Sequence, residues 1–286
     1  MAKINWFPGH MAKALRDMTE EVKNVDMVIY VLDARAPKSS VNPEFVGIIG
    51  NKPILYILNK ADLVEKQDLV RFYDYFKKSN TEVLELNSTV LGAIKKIEPI
   101  MTRLCFEKLE KYKQKGFKIN LRAMVLGVPN SGKSTLINNL CGSKKTITGD
   151  KAGVTRGKQW LSLKNGFEVL DTPGTLYPNI TNQQTALNLA FLGSIRNEVV
   201  DMNELALDFL NFCKKYHFEN LKEKYKLEEN CSALEMLDHI AAFKHYLLKG
   251  GDVDYDRTCF AIIDDFRKGK LGKICLDKNW WKQKKR

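Results

Sequence analysis

Three short stretches carry residues whose types and spacing can do chemistry. "GVPNSGKS", Gly127 to Ser134, fits the pattern G-x-x-x-x-G-K-[ST], with Thr135 next. In such a loop the glycines let backbone N–H groups wrap phosphate oxygens, here those of Asn130, Ser131 and Gly132, with Pro129 shaping the turn before them. Lys133 reaches the outer phosphates and Ser134 ligates Mg2+. "DTPG", Asp171 to Gly174, closes an apolar run. A carboxylate in that position calls for a cation, so Asp171 is expected to hold Mg2+ through water while the Gly174 N–H contacts the last phosphate. "NKAD", Asn59 to Asp62, also ends an apolar run. A carboxylate such as Asp62 can accept from both N1–H and the exocyclic amine of guanine, which adenine does not offer in that geometry. Four residues alone, Asn59, Lys60, Ala61 and Asp62, are a weak pattern; together with the phosphate loop and D-T-P-G they predict GTP rather than ATP. A fourth stretch, "INWFPGHMAK" from Ile4 to Lys13, places His10 behind two aromatics and Pro8-Gly9. On its own it reads as a hydrophobic staple at a helix entry.

These groups need a frame. "DMVIYVLDAR" (Asp26–Arg35), "KPILYILNKAD" (Lys52–Asp62), "TEVLELNS" (Thr81–Ser88) and "RAMVLGVPN" (Arg122–Asn130) are nearly continuous apolar runs, the pattern of strands buried on both faces of a parallel sheet. Helical periodicity separates them, over about Met11–Asn24, Asn42–Gly50, Glu65–Ser79 and Leu91–Lys115. Two further strands, Lys158–Leu163 and Phe167–Gly174, flank an Asn165-Gly166 turn and should be antiparallel. The alternation predicts a doubly wound α/β domain over residues 1–178, built on a mostly parallel six-stranded sheet with helices on both faces. From residue 179 to 286 the pattern turns helical, over Gln183–Gly193, Met202–Lys215, Leu221–Tyr225, Cys231–Leu248 and Tyr255–Lys268. This predicts a separate all-α domain.

The 286 residues carry 46 Lys and Arg against 34 Asp and Glu, a net charge of +12. The stretch from Arg267 to the end holds nine basic residues and one acid, Asp277, ending in "KNWWKQKKR". Such a tail suits a polyanion: cations neutralise phosphates, and Trp280 and Trp281 can stack on exposed bases beside Lys282, Lys284, Lys285 and Arg286. The six cysteines are scattered without a C-x-x-C pair, as expected of reduced thiols in a cytoplasmic protein. The chain lacks an apolar run approaching the ~18 residues of a membrane helix, and no membrane partner is expected.

The order of the motifs is informative. In most GTP-binding proteins the phosphate loop comes first, then D-x-x-G, N-K-x-D and a serine-containing base loop; here Asn59 precedes Gly127 in the chain. "ELNST", Glu85 to Thr89, ends the next strand, which puts Asn87 and Ser88 where a base-contacting loop belongs. Joining the old termini through the Leu91–Lys115 segment leaves every strand neighbour in place. The sequence therefore resembles the circularly permuted GTPases, and with "WFPGHM" at its start it resembles the ribosome biogenesis GTPase A (RbgA/YlqF) family.

That resemblance implies a permuted P-loop GTPase domain, GTP hydrolysis, and the large (50S) ribosomal subunit with its rRNA as partner, the chain being a monomer off the ribosome. It aligns "GDKAGVTRGKQW" with the family's first switch, so that Thr155 closes over Mg2+. It matches Asn130 to an asparagine that supports a K+ ion in related GTPases. Where Ras-like enzymes carry a water-orienting glutamine, this chain has Thr175 followed by Leu176. The resemblance then makes His10 the candidate to orient water, joining Lys133, Thr155 and Gly174 as the catalytic set. Two rivals stand beside this reading: a GTP-sensing switch for another RNA or protein, with hydrolysis incidental, and an ATP-driven P-loop enzyme, which Asn59 and Asp62 oppose.

Overall fold

In a computed structural model, residues 8–90, 92–117, 119–142, 159–163, 166–229 and 231–278 are described. Six strands, β1 (Met27–Asp33), β2 (Ile54–Asn59), β3 (Thr81–Leu86), β4 (Leu121–Leu126), β5 (Gln159–Ser162) and β6 (Phe167–Asp171), form one sheet in the order β3-β2-β1-β4-β6-β5. All neighbours are parallel except β5 and β6, which pair antiparallel as the Asn-Gly turn predicts. The first helices are α1 (Gly9–Glu21), α2 (Pro43–Ile49), α3 (Lys66–Phe76), α4 (Ile97–Leu104), α5 (Phe106–Gln114) and α6 (Lys133–Cys141). The single helix expected over Leu91–Lys115 is broken: α4 ends at Leu104, and α5 restarts one residue later, with Cys105 at φ −108°, ψ 15° between them.

Period-two patterning sorts the sheet into two apolar faces. Tyr30, Leu32 and Leu58 pack with Phe45, Phe72 and Phe76 of α2 and α3. Ile29, Val31, Ile57, Val125 and Val169 pack with Met101 of α4 and Leu136 of α6. Successive strands step outward from the β1–β4 pair in opposite directions, so the crevice beyond their carboxyl ends is a topological switch point, where open α/β sheets take ligands.

The remaining helices are α7 (Gln183–Phe191), α8 (Met202–Tyr216), α9 (Phe218–Tyr225), α10 (Ala233–Phe243) and α11 (Tyr255–Arg267). Asn182, Asp201, Ser232 and Asp254 cap α7, α8, α10 and α11, Ser232 in a reciprocal capping box with Glu235. Helix α10 stops before the expected Leu248 because His245 takes φ +57°. The His245 and Tyr246 N–H groups turn back onto Ala242 O and Ala241 O, a Schellman closure. Phe191, Phe209 and Phe266 centre an apolar cluster that also takes in Met11, Ala36, Val128 and Leu176 from the sheet-bearing half. After α11 the chain returns to that half: Ile274 N–H donates to Leu63 O at 3.1 Å and Leu276 N–H to Arg35 O at 2.7 Å.

Candidate functional site

β4 delivers the chain into the loop from Gly127, and α6 begins at Lys133 behind Gly132. Gly132 has φ +96°, and a Cβ there would lie 2.1 Å from the Asn59 amide nitrogen, so only glycine suits the position. Two side chains from the end of β2 grip the loop by its carbonyls. Asn59 Nδ2 donates to Ser131 O at 2.8 Å, and Lys60 Nζ donates to Asn130 O at 2.8 Å. Within a peptide unit the carbonyl and the following N–H point opposite ways. Anchoring these carbonyls on the β2 side therefore turns the Ser131 and Gly132 N–H groups away from it. The Ser131 N–H makes a long 3.4 Å bond to Val128 O.

The grip is itself held. Ser88 donates through both N–H (3.0 Å) and Oγ (2.7 Å) to Asn59 Oδ1, and Thr89 does the same to Asn87 Oδ1, at 2.9 and 2.6 Å. Lys60, in the left-handed region at φ 61°, also contacts Asp33 Oδ2 at 2.8 Å. Register places Asp33 beside Asn59. Asp33 is buried and takes a two-pronged contact from Arg35, Nε to Oδ1 at 2.9 Å and Nη2 to Oδ2 at 2.8 Å. Burial alone would raise its pKa; Arg35 and Lys60 together outweigh that and hold the carboxyl well below the usual carboxylate range. Asp62 is exposed at the same edge.

Lys133 and Asp171 face each other from α6 and the end of β6. Lys133 Nζ folds back onto Gly127 O (3.0 Å) and Val128 O (2.9 Å). Burial pushes its pKa down to about 8, against the pull of Asp171. Burial likewise pushes Asp171 up to about 6, with Lys133 and the Thr172 N–H acting to lower it. Asp171 Oδ1 is buried without a hydrogen-bond partner. That orphaned oxygen and the Ser134 hydroxyl at the start of α6 are the kind of oxygen donor that a hard cation could use. Among the described residues there is no cluster of three or more His, Cys, Asp or Glu able to cage a metal alone.

The segment after Asp171 lies against the phosphate loop. A Cβ on Gly174 would meet Pro129 Cα and Lys133 Nζ, each at 2.8 Å. Next, Thr175 O accepts from Asn42 Nδ2 at 3.2 Å, while Thr175 Oγ1 is buried without a partner. Leu176 enters the helical cluster beside Val128 and Met11. His10 is exposed in the first turn of α1, one residue from the fully buried Met11. Thr155, Trp6 and Phe7, and the tail residues Trp280, Trp281, Lys282, Lys284, Lys285 and Arg286 lie outside the described residues.

Sequence reading missed three contributors. In the sequence Asp33 and Arg35 read only as the end of a strand, although an acid closing an apolar run beside a base is an available signal. Arg35 also caps the end of α11, donating to Phe266 O (3.0 Å) and Arg267 O (3.2 Å). Asp277 counted merely as the acid in a basic stretch. It is buried, and accepts from Lys38 N–H, Ser39 N–H, Ser39 Oγ and Asn188 Nδ2 at 2.6–3.0 Å. The basic stretch is also less free than its charge suggests. Lys268, Lys270, Lys273 and Lys278 lie 2.8–3.7 Å from Asp264, Asp265, Glu65 and Asp68, and Arg267 donates to Ala190 O and Phe191 O. Their acidic partners all lie before residue 267, where a local charge count does not see them.

Among the described residues, no helix is long and apolar enough to cross a membrane. A family model described as "50S ribosome-binding GTPase" matches residues 122–239, which hold the phosphate loop but not the N-K-A-D stretch upstream of it. A ribosome biogenesis GTPase A from Bacillus cereus is 40% identical over 276 residues, 96% of this chain and 93% of its own length. Another, from Thermotoga maritima, is 30% identical over 96% of this chain and 94% of its own. The crystal structure of GNP-bound YlqF from T. maritima superposes with a TM-score of 0.64 at 27% identity, covering 92% of this chain and 97% of that one. With the motif order, the gripped phosphate loop and these likenesses in agreement, the chain belongs to the ribosome biogenesis GTPase A family.

Proposed function

We propose that the chain hydrolyses GTP to GDP and phosphate as a maturation factor of the large ribosomal subunit, in the cytoplasm and as a monomer when off the ribosome. The observation that carries the nucleotide reading is the loop itself: Asn59 and Lys60 hold Ser131 O and Asn130 O, leaving the N–H side to phosphates. Asp62 selects guanine, while Asn87 and Ser88 shape the base pocket. On binding, Lys133 leaves the carbonyls of Gly127 and Val128 for phosphate oxygens, which relieves its buried charge. Ser134, Asp171 and Thr155 would hold Mg2+, which supplies positive charge to the phosphates as negative charge shifts toward the leaving group. The Asn130 carboxamide nitrogen is engaged on Gly193 O, so its oxygen is the atom that would face a K+ ion.

Gly174 senses the last phosphate. Two residues on, Leu176 is part of the helical cluster, so losing that phosphate can be felt as a shift of the helical segment. In the GTP state the helical segment and the basic residues from Lys282 to Arg286 bind rRNA; contact orders the His10 segment, His10 orients the attacking water, and hydrolysis releases the protein. The test is steady-state GTP hydrolysis with and without large-subunit particles, for wild type and His10→Ala. Stimulation by the particles that His10→Ala loses while keeping its GTP affinity is the expected result. Equal rates with and without particles would sink the gating idea, and unchanged hydrolysis in the variant would remove His10 from the mechanism.

A further inference from the structure

The two grips on the phosphate loop described above come from β2. A third comes from the helical segment. Ser194 follows α7 in a tight turn, where its N–H returns to Leu189 O at 2.9 Å. Its side chain is buried, and Oγ donates to Pro129 O at 2.8 Å. One residue earlier, Gly193 O accepts from Asn130 Nδ2 at 2.7 Å. Three consecutive loop carbonyls, Pro129, Asn130 and Ser131, are thus each taken by a side-chain donor: Ser194, Lys60 and Asn59. The same peptide geometry applies to the third: fixing Pro129 O fixes the direction of the Asn130 N–H.

The turn that supplies this grip is itself tied to the rest of the chain. Arg267 donates to Ala190 O (2.7 Å), Phe191 O (3.0 Å) and Asn197 Oδ1 (2.9 Å), clamping the end of α7. Arg35 in turn holds Arg267 O, and Asp33 holds both Arg35 and Lys60. A closed circuit of polar contacts runs from the phosphate loop into the helical segment and back to the loop.

We propose that Ser194 is a positioning residue for the phosphate loop: the helical segment completes the loop's anion-binding conformation by holding Pro129 O, and its placement sets how tightly the β-phosphate is kept. This rests on the reading of Gly127–Ser134 as the nucleotide-phosphate site. Coupling between nucleotide and helical segment then runs through the phosphate loop as well as through Gly174 and Leu176. It is reciprocal: whatever shifts the Gly193–Ser194 turn loosens the nucleotide, and the nucleotide steadies the turn.

The experiment compares wild type with Ser194→Ala, measuring affinity for GDP and for GMP by competition against a fluorescent GDP. GMP lacks the β-phosphate around which the loop closes. Ser194→Ala should weaken GDP about fivefold, the worth of one net hydrogen bond, and leave GMP within twofold. Ser194→Thr and Ser194→Val, equal in size and differing in the hydroxyl, decide the matter should the alanine variant misfold: Thr should keep GDP affinity better than Val by the same factor. Unchanged GDP affinity in Ser194→Ala overturns the proposal, as does an equal loss for GDP and GMP, which marks a general loosening. Failure of the wild type to bind GDP would instead overturn the phosphate-site reading beneath it.

Discussion

The backbones of Gly174 and Pro129 touch: a Cβ built on Gly174 would lie 2.8 Å from Pro129 Cα and 2.9 Å from Pro129 N. Gly174 has no positive φ, so the reason for glycine here is space alone. The segment that follows Asp171 is seated on the phosphate loop, and its approach leaves no room for a methyl group.

Gly174→Ala should therefore separate hydrolysis from binding. The methyl group meets the Pro129 backbone as well as the Lys133 ammonium, and because backbone cannot swing aside the segment must shift by a substantial fraction of an ångström. Misplacement on the scale of 1 Å at a reacting centre can cost on the order of 10²-fold in rate. GDP does not carry the phosphate that the Gly174 N–H would meet. We expect single-turnover GTP hydrolysis to fall by that order while GDP affinity stays within a few fold. An equal loss in both would show that the clash disturbs the whole loop.

Lys133 and Asp171 make the nucleotide-free protein sensitive to pH. Burial lowers the Lys133 pKa to about 8, so between that value and its ordinary range the unfolded chain binds more protons, and stability rises with pH. Burial raises Asp171 to about 6, so below that value the folded state binds the extra proton, and stability falls as pH climbs toward 6. Between about 6 and 8 both groups are charged and both penalties stand in full. In chelator and without nucleotide, the thermal midpoint of wild type should gain on that of Lys133→Met as pH rises from 7.5 to 9.5. Nucleotide with Mg2+ should remove most of that difference. Parallel pH profiles without nucleotide would show that Lys133 is solvated.

Asn59 bridges the Ser88 loop and the loop at Ser131. Asn59→Ala strands Ser131 O and the Ser88 N–H and hydroxyl in a buried setting, at a cost of about 2–4 kcal/mol. Asn59→Asp keeps the acceptor for Ser88 but sets an oxygen against Ser131 O. Both should lower the thermal midpoint, and Asp should lose as much nucleotide affinity as Ala although it keeps the Ser88 contacts. An Asp variant with wild-type affinity would show that the Ser131 contact does not shape the loop.

How far the sequence reaches depends on where partners lie along the chain. The sheet was legible because buried parallel strands are local apolar runs, and the phosphate loop because its chemistry is packed into eight residues. The Asn165-Gly166 pair announced the antiparallel edge. The helix break at Cys105 had no such signal: residues 97–114 keep a helical pattern on both sides of it. Arg35 looked like any base after a strand, since its carbonyl partners at Phe266 and Arg267 are more than two hundred residues away. Asp277 counted as one acid in a basic stretch, and only the folded chain shows that it sits among donors from Lys38, Ser39 and Asn188. Burial and long-range partners, which decide the role of a polar residue, are what local pattern does not carry.

Asp277 separates the part of the C-terminus that builds the fold from the part proposed to bind RNA. Asp277→Ala leaves two N–H groups and a hydroxyl without their acceptor and should cost about 2–4 kcal/mol, seen as a lowered denaturation midpoint. Removing residues 279–286 takes away Lys282, Lys284, Lys285 and Arg286 but leaves Asp277 and the Lys278–Asp68 pair in place. That truncation should keep the midpoint and the basal GTPase rate. Its binding to structured RNA should weaken, with the slope of log affinity against log salt shallower by about 3 if all four cations meet phosphates. An unchanged slope would assign RNA contact to the helical surface instead, and a collapsed midpoint would make the tail part of the fold.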